Sequence, residues 1–558
     1  MQKPLGMHQW IDVLHRSRVS FDHFVRIPQV TAEEMARKFS FFSKWVARTR
    51  SSPYVPAIAL ITLALLLRLL WIAYTDFVYE DAFITFRYAQ QIAEGNGFVY
   101  NLGERVYGTT TPLFTLLLTG WLLIPGTEVV AGARLIGLTS AVGTLTLLLM
   151  TLRRMGTTQP QQLLVLALIG TSSKFWIKDT GGMETPLVIF LLSASWYAYV
   201  YRKLSWTGIL SGLLLWTRVD LILWPVVLCV TEVYSHGKSA LKIAWPTLLV
   251  YLPWVIFASL YFGSPIPHTI TAKWVAYTQP NQDPYMSHLF VLVKWLNPLH
   301  LPDQLELVGI LIAFSVVAIA AWQTSRMYKD KQFAILALFV LLEVTRIVLS
   351  RSTIFSRYFA PTFWAVLILL GLGLGSLVKD SRLGRSLSLS WRWFLGLVFL
   401  SLFLLFGFKA SGMVRDTQIY RHEGALKAAG LWLRQNSDSA ATVQLEPLGY
   451  IGYYSGRVMI DEVGLVTPQM VNLKRQGVFD LDTYIGFFHP DYVLIHCDDS
   501  LYIQDEDIDH VLTSQYVEVT SFNPRDFDPR DPGQGPNFDN LGRSSCYEIW
   551  GRIEEGSP

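Results

Sequence analysis

Two adjacent carboxylates, Glu80 and Asp81, follow the first long apolar run of the chain, 54–74. A carboxylate at a membrane interface can accept a proton from a hydroxyl group. A neighbouring carboxylate can help to hold a divalent cation, which prefers hard oxygen ligands. The pair also has a purely structural interpretation, because Phe83, Phe86 and residues after them recur at helical spacing. Solvated acids in the first turn of that helix would stabilise it through the helix dipole.

The composition indicates what kind of elements must position these acids. Of the 558 residues, 51% are hydrophobic and only 16% are charged, whereas a soluble globular protein carries about 25% charged residues. This excludes a disordered protein, a fibrous protein and a typical soluble enzyme. It predicts a polytopic α-helical membrane protein. The net charge of +3 is too small to indicate a nucleic-acid partner.

Apolar runs that could span a bilayer recur along most of the chain. They are 54–74, 131–152, 161–177, 183–201, 204–218, 220–234, 241–262, 305–325, 331–349, 357–377 and 391–410. Lys and Arg fall at every second gap, so the positive-inside rule predicts about 11 spans with a cytoplasmic N-terminus. A span at the shorter run 112–124 would place the later gaps that carry Lys and Arg on the non-cytoplasmic side. This run is therefore predicted as a re-entrant or membrane-surface helix. The polar loops then share the non-cytoplasmic side.

The sequence predicts three regions. They are a basic cytoplasmic segment at 1–53, a transmembrane module at 54–410 with its first outer loop at 75–111, and an exterior soluble α/β domain at 411–558. Short β-like runs in the last region are 441–445, 458–460, 492–495 and 516–520, and a helical pattern covers 418–435. Cys497 and Cys546 in this region form either a disulfide or two separate thiols.

A longer pattern surrounds the acids in the first outer loop. It reads EDAFITFRY at 80–88, EGNGFVYN at 94–101 and GERVYGTTTPL at 103–113. This pattern resembles the GT-C glycosyltransferases, and most of all those related to the terminal arabinofuranosyltransferases of actinobacterial cell walls. Weaker similarities are GMET at 182–185, TRVD at 217–220, where proline is usual in place of Val219, and YFGSPIPHT at 261–269, where asparagine is more usual than His268.

The resemblance implies a polyprenyl-phosphate sugar as donor and inverting transfer to a cell-envelope glycan or glycolipid. It places the catalytic acid in the first outer loop, where Asp81 is the first candidate for the base and Glu80 the second. The residues expected to bind the donor phosphate or sugar are Arg87, Glu184, Arg218, Asp220, His268, Lys273, Arg351 and Arg357. No ligand spacing requires a cofactor, but Glu80, Asp81 and Glu184 could together hold a divalent cation.

Several of these residues have a structural alternative. Asp220 can form an ion pair with Arg218, and His268 can be a satisfied structural histidine. Arg351 and Arg357 can mark the boundary of a span and extend towards the interface. The sequence therefore supports the two acids more strongly than the residues expected to bind the donor.

Two other classes of protein compete with a glycosyltransferase. A transporter or flippase would also place carboxylates in spans, but no inverted repeat is visible and the paired acids lie in an outer loop. A non-catalytic envelope assembly factor would use the exterior domain as its working part. The chain has no Asn-x-Ser/Thr sequence, which favours a bacterial plasma membrane. Product formation from a lipid-phosphate sugar would separate the three classes.

Overall fold

The computed structural model describes residues 54–277, 315, 318, 331–350, 355–380, 411–497, 511–527 and 546–553. The predicted N-terminal segment 1–53, the span 391–410, most of the span 305–325 and Arg351 lie outside the described residues. The helices before the C-terminal domain are α1 (Val55–Thr75), α2 (Ala82–Ala93), α3 (Pro112–Leu122), α4 (Val129–Arg154), α5 (Gln159–Thr171), α6 (Ser173–Thr180), α7 (Thr185–Val200), α8 (Leu204–Thr217), α9 (Leu223–His236), α10 (Leu241–Phe262), α11 (His268–Tyr277), α12 (Lys331–Leu349) and α13 (Ala360–Asp380).

Within the described residues, four helical segments are long and apolar enough to cross a membrane. They are Val55–Thr75, Val129–Arg154, Val219–Phe262 and Arg357–Ser376. A fifth results if α6 and α7, which meet at an angle of 111°, are one broken span. The chain is therefore a helical membrane protein, while the total of about 11 spans stays a prediction.

Two short apolar runs have informative structures. The run 161–177 is not the single predicted span, because α5 ends at Thr171 and the backbone is extended at Ser172 (φ −69°, ψ 120°) before α6 begins. Helix α3 covers 11 residues, or about 16 Å at 1.5 Å per residue. That length is too short to cross a bilayer and agrees with the prediction of a re-entrant or surface helix at 112–124.

A glycine turn separates α6 from α7. Gly182 has a φ of +83°, and a Cβ atom there would come within 3.0 Å of the Phe86 ring and 3.1 Å of Val78. Glycine is the residue that tolerates both the left-handed backbone and the close approach. The turn places Glu184 at the N-terminus of α7, where it is only 4% exposed.

A buried ion pair joins α1 to α6. Arg68 Nη2 lies 2.6 Å from Asp179 Oδ2, and the two side chains are 2% and 6% exposed. Arg68 Nη1 also donates to the carbonyl oxygens of Ala64 at 2.8 Å and Gly170 at 2.9 Å. The guanidinium is therefore fully paired, which a buried charge requires.

We expect Arg68→Ala to lower the free energy of unfolding by about 3–5 kcal/mol, because Asp179 would stay buried without its cation. The matched control is Asp76→Asn, since Asp76 pairs with Arg134 at 2.7 Å but is 75% exposed. Loss of that exposed pair should cost about 0–1 kcal/mol. Thermal unfolding in detergent measures both variants. Equal losses would contradict the importance of the buried pair.

The C-terminal domain contains a five-stranded mixed sheet of order β2-β1-β3-β5-β4. Its strands are β1 (Thr442–Leu445), β2 (Val458–Asp461), β3 (Tyr492–His496), β4 (Tyr516–Phe522) and β5 (Tyr547–Arg552). Strand β1 pairs in parallel with β2 and β3, whereas β5 runs antiparallel to β3 and β4. The first four strands confirm the sequence predictions, and β5 has no counterpart among them.

Helices precede, separate and connect these strands along the chain. They are a π-helix (Thr417–Leu426), α14 (Lys427–Asn436), α15 (Leu448–Ser455), α16 (Pro468–Arg475), α17 (Leu481–Phe488) and α18 (Val511–Gln515). The helical pattern predicted at 418–435 is therefore present as a π-helix followed by α14. A disulfide joins Cys497, after β3, to Cys546, before β5. Of the two interpretations of these cysteines, the structure has the disulfide.

The first loop packs directly against the C-terminal domain. The Asn101 side chain exchanges two hydrogen bonds of 2.9 Å with the backbone of Met459. The Tyr100 hydroxyl donates to the carbonyl oxygen of Leu448 at 2.7 Å. These buried polar contacts hold the domain over the segment that carries the paired acids.

Candidate active site

Glu80 and Asp81 line two neighbouring cavities, named here cavity A and cavity B, with volumes of about 280 Å³ and about 300 Å³. The charged residues and the histidine that line cavity A are Glu80, Asp81, Glu184, Arg218, Asp220, Lys273, Arg357, Arg421, His422 and Glu446. Residues that line only cavity B are Phe77, Tyr79, Lys178, Thr185 and Thr417. Both cavities share Glu80, Asp81, Met183, Phe355, Arg357 and His422. The two cavities therefore meet at the paired acids.

Asp81 occupies the N-cap position of α2 but makes no side-chain capping bond with the described residues. Its carboxylate instead forms an ion pair with Arg357, and its side chain is 34% exposed where it borders the cavities. Burial opposes its ionisation, but the charges of Arg357 and Lys273 outweigh burial and hold the pKa of Asp81 below its usual value. The interpretation of the acids as solvated helix caps is therefore wrong. Asp81 is a carboxyl group with a lowered pKa at the junction of the cavities.

Glu80 has the opposite electrostatic environment. Its Oε1 accepts a hydrogen bond from the backbone N–H of Gly449, and its side chain is hydrogen-bonded to Asp81. Burial, and then the charge of Asp81, raises the pKa of Glu80. A Cβ atom at Gly449 would collide with the backbone oxygen of Glu80, so glycine allows α15 to approach the loop. We assign the proton of the pair to Glu80 and the negative charge to Asp81.

This assignment predicts a pH-dependent stability. Because the folded state binds the Glu80 proton more tightly than the unfolded state, the stabilisation is complete below the unfolded pKa and declines as pH rises towards the raised folded pKa. Glu80→Gln has no such proton to lose. The thermal midpoint of Glu80→Gln, relative to that of the wild type, should therefore rise between about pH 5 and about pH 8.

The comparison uses the same detergent and salt for both proteins. Asp461, whose pKa burial raises to about 7, contributes equally to both and cancels from the difference. Parallel stability curves for the two proteins over this pH range would contradict a neutral Glu80.

Basic side chains surround Asp81 on the side of cavity A. The Arg357 guanidinium carbon lies 4.9 Å from the centre of the Phe355 ring, and the Lys273 Nζ lies 4.6 Å from the same ring. Lys273 has no hydrogen-bond or ion-pair partner in the described part of the chain. Its ammonium group is therefore available to an anion that enters cavity A.

Arg218 and Asp220 also line cavity A, and they form the ion pair that the structural alternative predicted. Arg218 Nε donates to Asp220 Oδ1 at 3.0 Å, and Arg346 Nη2 lies 3.5 Å from Asp220 Oδ2. Arg218 Nη1 donates to the carbonyl oxygen of Arg357 at 3.4 Å. The pair therefore supports the segment that presents Arg357 to Asp81, and Glu184 completes the acidic lining of the cavity.

Arg87 does not line either cavity. Its Nε donates to the carbonyl oxygen of Tyr100 at 2.9 Å, and its Nη1 and Nη2 donate to those of Gly452 and Arg457, each at 2.6 Å. The side chain is 3% exposed. The prediction that Arg87 binds the donor phosphate is wrong, because backbone carbonyls of the loop and of the C-terminal domain occupy its guanidinium.

His268 is also absent from the residues that line the two cavities. Its backbone N–H donates to the carbonyl oxygen of Tyr107 at 2.9 Å. Its ring packs towards Gly464 of the C-terminal domain, and burial lowers the pKa of the imidazole. His268 therefore lies away from both cavities, and its buried Nε2 has no hydrogen-bond partner among the described residues, so it is not a fully satisfied structural histidine either. Arg351, the remaining predicted donor residue, lies outside the described residues.

Sequence reasoning missed several residues that line the cavities. Lys178 is 5% exposed and borders cavity B, with its Nζ 5.9 Å from the centre of the Tyr79 ring. The sequence feature that could have indicated Lys178 is its position directly after the apolar run 161–177. The buried hydroxyls of Thr269 in cavity A and Thr185 in cavity B have no partner among the described residues. Both oxygens are enclosed by protein, so neither is open to a ligand in this structure.

The arrangement does not form a metal site within the described residues, where no group of three or more His, Cys, Asp or Glu could hold a metal ion. Glu80, Asp81 and Glu184 line one cavity without forming such a group. The positive charge that contacts Asp81 belongs to Arg357. The hypothesis of a divalent cation held by these three acids therefore has no support from their geometry.

The fold is similar to that of solved membrane proteins. ArnT from Cupriavidus metallidurans bound to undecaprenyl phosphate aligns with a TM-score of 0.55 and 14% identity, over 90% of this chain and 99% of that chain. The oligosaccharyltransferase of Archaeoglobus fulgidus aligns with a TM-score of 0.54 and 11% identity, over 81% of this chain and 70% of that chain. These alignments show that the chain has the GT-C fold, which confirms the fold expected from the first loop.

Three further comparisons add less. The arabinofuranosyltransferase AftD from Mycobacteria aligns over 89% of this chain and 40% of that chain with 14% identity. Its TM-score of 0.46 is too low to support a shared fold. Residues 414–550 match a family described as Domain of unknown function (DUF8728). No curated protein matches the chain. The comparisons therefore show the fold of these membrane proteins, together with a match of residues 414–550 to a family of undescribed function.

Proposed function

We propose that the chain is an inverting membrane glycosyltransferase, which transfers a sugar from a polyprenyl-phosphate donor to a hydroxyl group of a cell-envelope glycan or glycolipid. The observation that carries the proposal is the position of Asp81 at the junction of two cavities, in an ion pair with Arg357. The fold supports it, since one structure with this fold holds undecaprenyl phosphate and another is an oligosaccharyltransferase.

Cavity A suits the sugar phosphate of the donor. Arg357, Arg218 and Lys273 line it, and guanidinium and ammonium groups bind phosphate oxygens well. Lys273 has no competing partner among the described residues, and the unpartnered hydroxyl of Thr269 lies one helical turn before it on α11. Residues four apart share one face of a helix. Thr269 and Lys273 therefore lie on one face of α11, and both line cavity A.

Cavity B suits the acceptor. Phe77 and Tyr79 give it aromatic walls, on which a sugar ring can stack. In this proposal the acceptor enters through cavity B and reaches Asp81, which lines both cavities, while the phosphate is held in cavity A.

The reaction then follows from this placement. Asp81 takes the proton of the acceptor hydroxyl as its oxygen forms a bond to the anomeric carbon. The bond between that carbon and the phosphate oxygen breaks with its electron pair, and polyprenyl phosphate leaves. Arg357 and Lys273 balance the charge that develops on the leaving phosphate. Attack and departure on opposite sides of the carbon invert its configuration.

The proposal places the C-terminal domain outside the cell and residues 1–53 in the cytoplasm of a bacterium, with the module 54–410 in its plasma membrane. The Cys497–Cys546 disulfide supports an exterior domain, because such bonds persist in oxidising compartments. The domain 411–558 contributes His422 and Glu446 to the lining of cavity A, so it covers the site. Arabinofuranose is the proposed sugar because the first loop resembles arabinofuranosyltransferases.

The test uses the purified protein in lipid nanodiscs with radiolabelled polyprenyl-phosphate arabinofuranose, mannose or aminoarabinose, and an arabinofuranosyl oligosaccharide as acceptor. The proposal predicts that one donor, with arabinofuranose expected, labels the acceptor and releases polyprenyl phosphate. A transporter or flippase would move a donor between leaflets without consuming it, and an assembly factor would do neither. If no donor is consumed in the presence of acceptor, the proposal is wrong.

A further inference from the structure

Among the described residues of the C-terminal domain, His422 alone lines both cavities. It lies on the π-helix Thr417–Leu426 and is 6% exposed. The π-helix is rare, and π-helical turns within α-helices are frequent at functional sites. The reaction described above assigns no role to this imidazole, although it borders the place where the sugar and the acceptor would meet.

The neighbours of His422 fix which ring nitrogen carries the proton. Nδ1 lies 3.1 Å from the carbonyl oxygen of Val78 and 3.2 Å from Oε1 of Gln418. The Gln418 amide is itself oriented, because its Oε1 accepts from the Val78 N–H and its Nε2 donates to the Tyr450 hydroxyl, both at 3.1 Å. Both neighbours of Nδ1 are thus acceptors, so Nδ1 must be the donor.

The other nitrogen of the ring therefore presents a lone pair. In a neutral imidazole with the proton on Nδ1, Nε2 can only accept. Burial, together with the charge of Arg421, lowers the pKa of His422 to about 3, which keeps the ring neutral. Phe77 and Tyr450 hold the ring plane, with centroids 5.6 Å and 5.2 Å away.

Nε2 of His422 makes no hydrogen bond with the described residues. It is also not one of the enclosed atoms that lack a partner, so it retains some exposed surface, and the residue that carries it lines both cavities. A lone pair at this place attracts a hydroxyl hydrogen and repels the oxygens of a phosphate. The ring therefore favours a sugar hydroxyl here and disfavours the leaving phosphate.

We propose that Nε2 of His422 accepts a hydrogen bond from a sugar hydroxyl at the junction of the cavities and thereby selects substrates with a free hydroxyl at that position. The inference rests on the proposed function and extends it to substrate specificity. The hydroxyl belongs either to the transferred sugar or to the acceptor, and the test distinguishes these two sources.

The experiment compares the wild type with His422→Asn, in membranes with equal amounts of folded protein. The asparagine amide can still donate to the Val78 oxygen in place of Nδ1, but it has no acceptor at the position of Nε2. The probes are polyprenyl-phosphate arabinofuranose, an arabinofuranosyl oligosaccharide and the monodeoxy forms of each. Gln418→Met is the control, because it disturbs the support of the ring and should reduce transfer from every substrate alike.

The proposal expects His422→Asn to lower kcat/KM by roughly 10- to 100-fold with the intact substrates, since a buried hydroxyl loses its acceptor. With one monodeoxy substrate, a donor or an acceptor, the variant and the wild type should become equal. A loss of the same size with every deoxy substrate, or no loss at all, would overturn the proposal.

Three further outcomes are decisive. If His422→Asn does not fold, the monodeoxy substrates are tested with the wild type alone. One of them must then lower the kcat/KM of the wild type by a similar factor. If none does, the proposal is refuted. If the wild type transfers no sugar, the proposed function fails and this inference fails with it. If the wild type transfers sugar and His422→Asn is its equal, only the role of His422 is refuted.

Discussion

Asp81→Asn should lower kcat for sugar transfer by roughly 100- to 10,000-fold, the usual contribution of a general base. Asparagine has nearly the size of aspartate but cannot take the proton of the acceptor hydroxyl. The KM for the donor should change little, because Arg218 and Lys273 still line cavity A. Initial rates of label transfer, at equal amounts of folded protein, measure the effect.

Glu80→Gln is the matched control for this prediction. The glutamine oxygen can accept from the Gly449 N–H, and its amide can donate to Asp81 as the protonated Glu80 does. We therefore expect a loss of less than about 10-fold, the scale of one adjusted hydrogen bond. An inactive Glu80→Gln beside an active Asp81→Asn would reverse the roles of the two acids.

Arg357→Gln should lower kcat/KM for the donor by roughly 100- to 1,000-fold, the usual cost of removing a group that stabilises developing negative charge. A second effect follows from the ion pair with Asp81. Since the Arg357 charge depresses the pKa of Asp81, its removal lets that pKa rise. The acid limb of the pH–rate profile should therefore move to higher pH in the variant.

Arg134→Gln is the control for the loss of an arginine. Arg134 also pairs with an aspartate, Asp76 at 2.7 Å, but it lines neither cavity A nor cavity B. We expect wild-type rates and an unshifted pH–rate profile. If Arg357→Gln retains the wild-type rate and the wild-type acid limb of the pH–rate profile, Arg357 neither holds the leaving phosphate nor lowers the pKa of Asp81.

The local elements were predictable where one pattern dominates a short segment. Apolar residues at helical spacing, stopped by Gly95 and Gly97, gave helix α2 (Ala82–Ala93). The first four strands follow from short runs of β-branched and aromatic residues. Strand β5 was missed because Glu548 and Gly551 interrupt its apolar residues. The break at Ser172 was missed because hydropathy does not register a change in backbone direction.

The site was less predictable, because it joins residues that are far apart in the sequence. The first-loop pattern identified Asp81 and Glu80, which the fold places between two cavities. Arg87 was misassigned because a sequence cannot distinguish a guanidinium that binds a phosphate from one enclosed by backbone carbonyls. His422 was missed because it lies outside the first-loop pattern, and only tertiary packing brings it to the cavities that Asp81 lines.

The most direct test of the account is the anomeric configuration of the sugar after one turnover of the wild-type protein. The NMR coupling at the anomeric carbon distinguishes the two configurations in the purified product. The account predicts inversion relative to the donor, because the phosphate leaves into cavity A while the acceptor enters from cavity B. Retention would contradict it, since retention requires two successive displacements and a covalent intermediate.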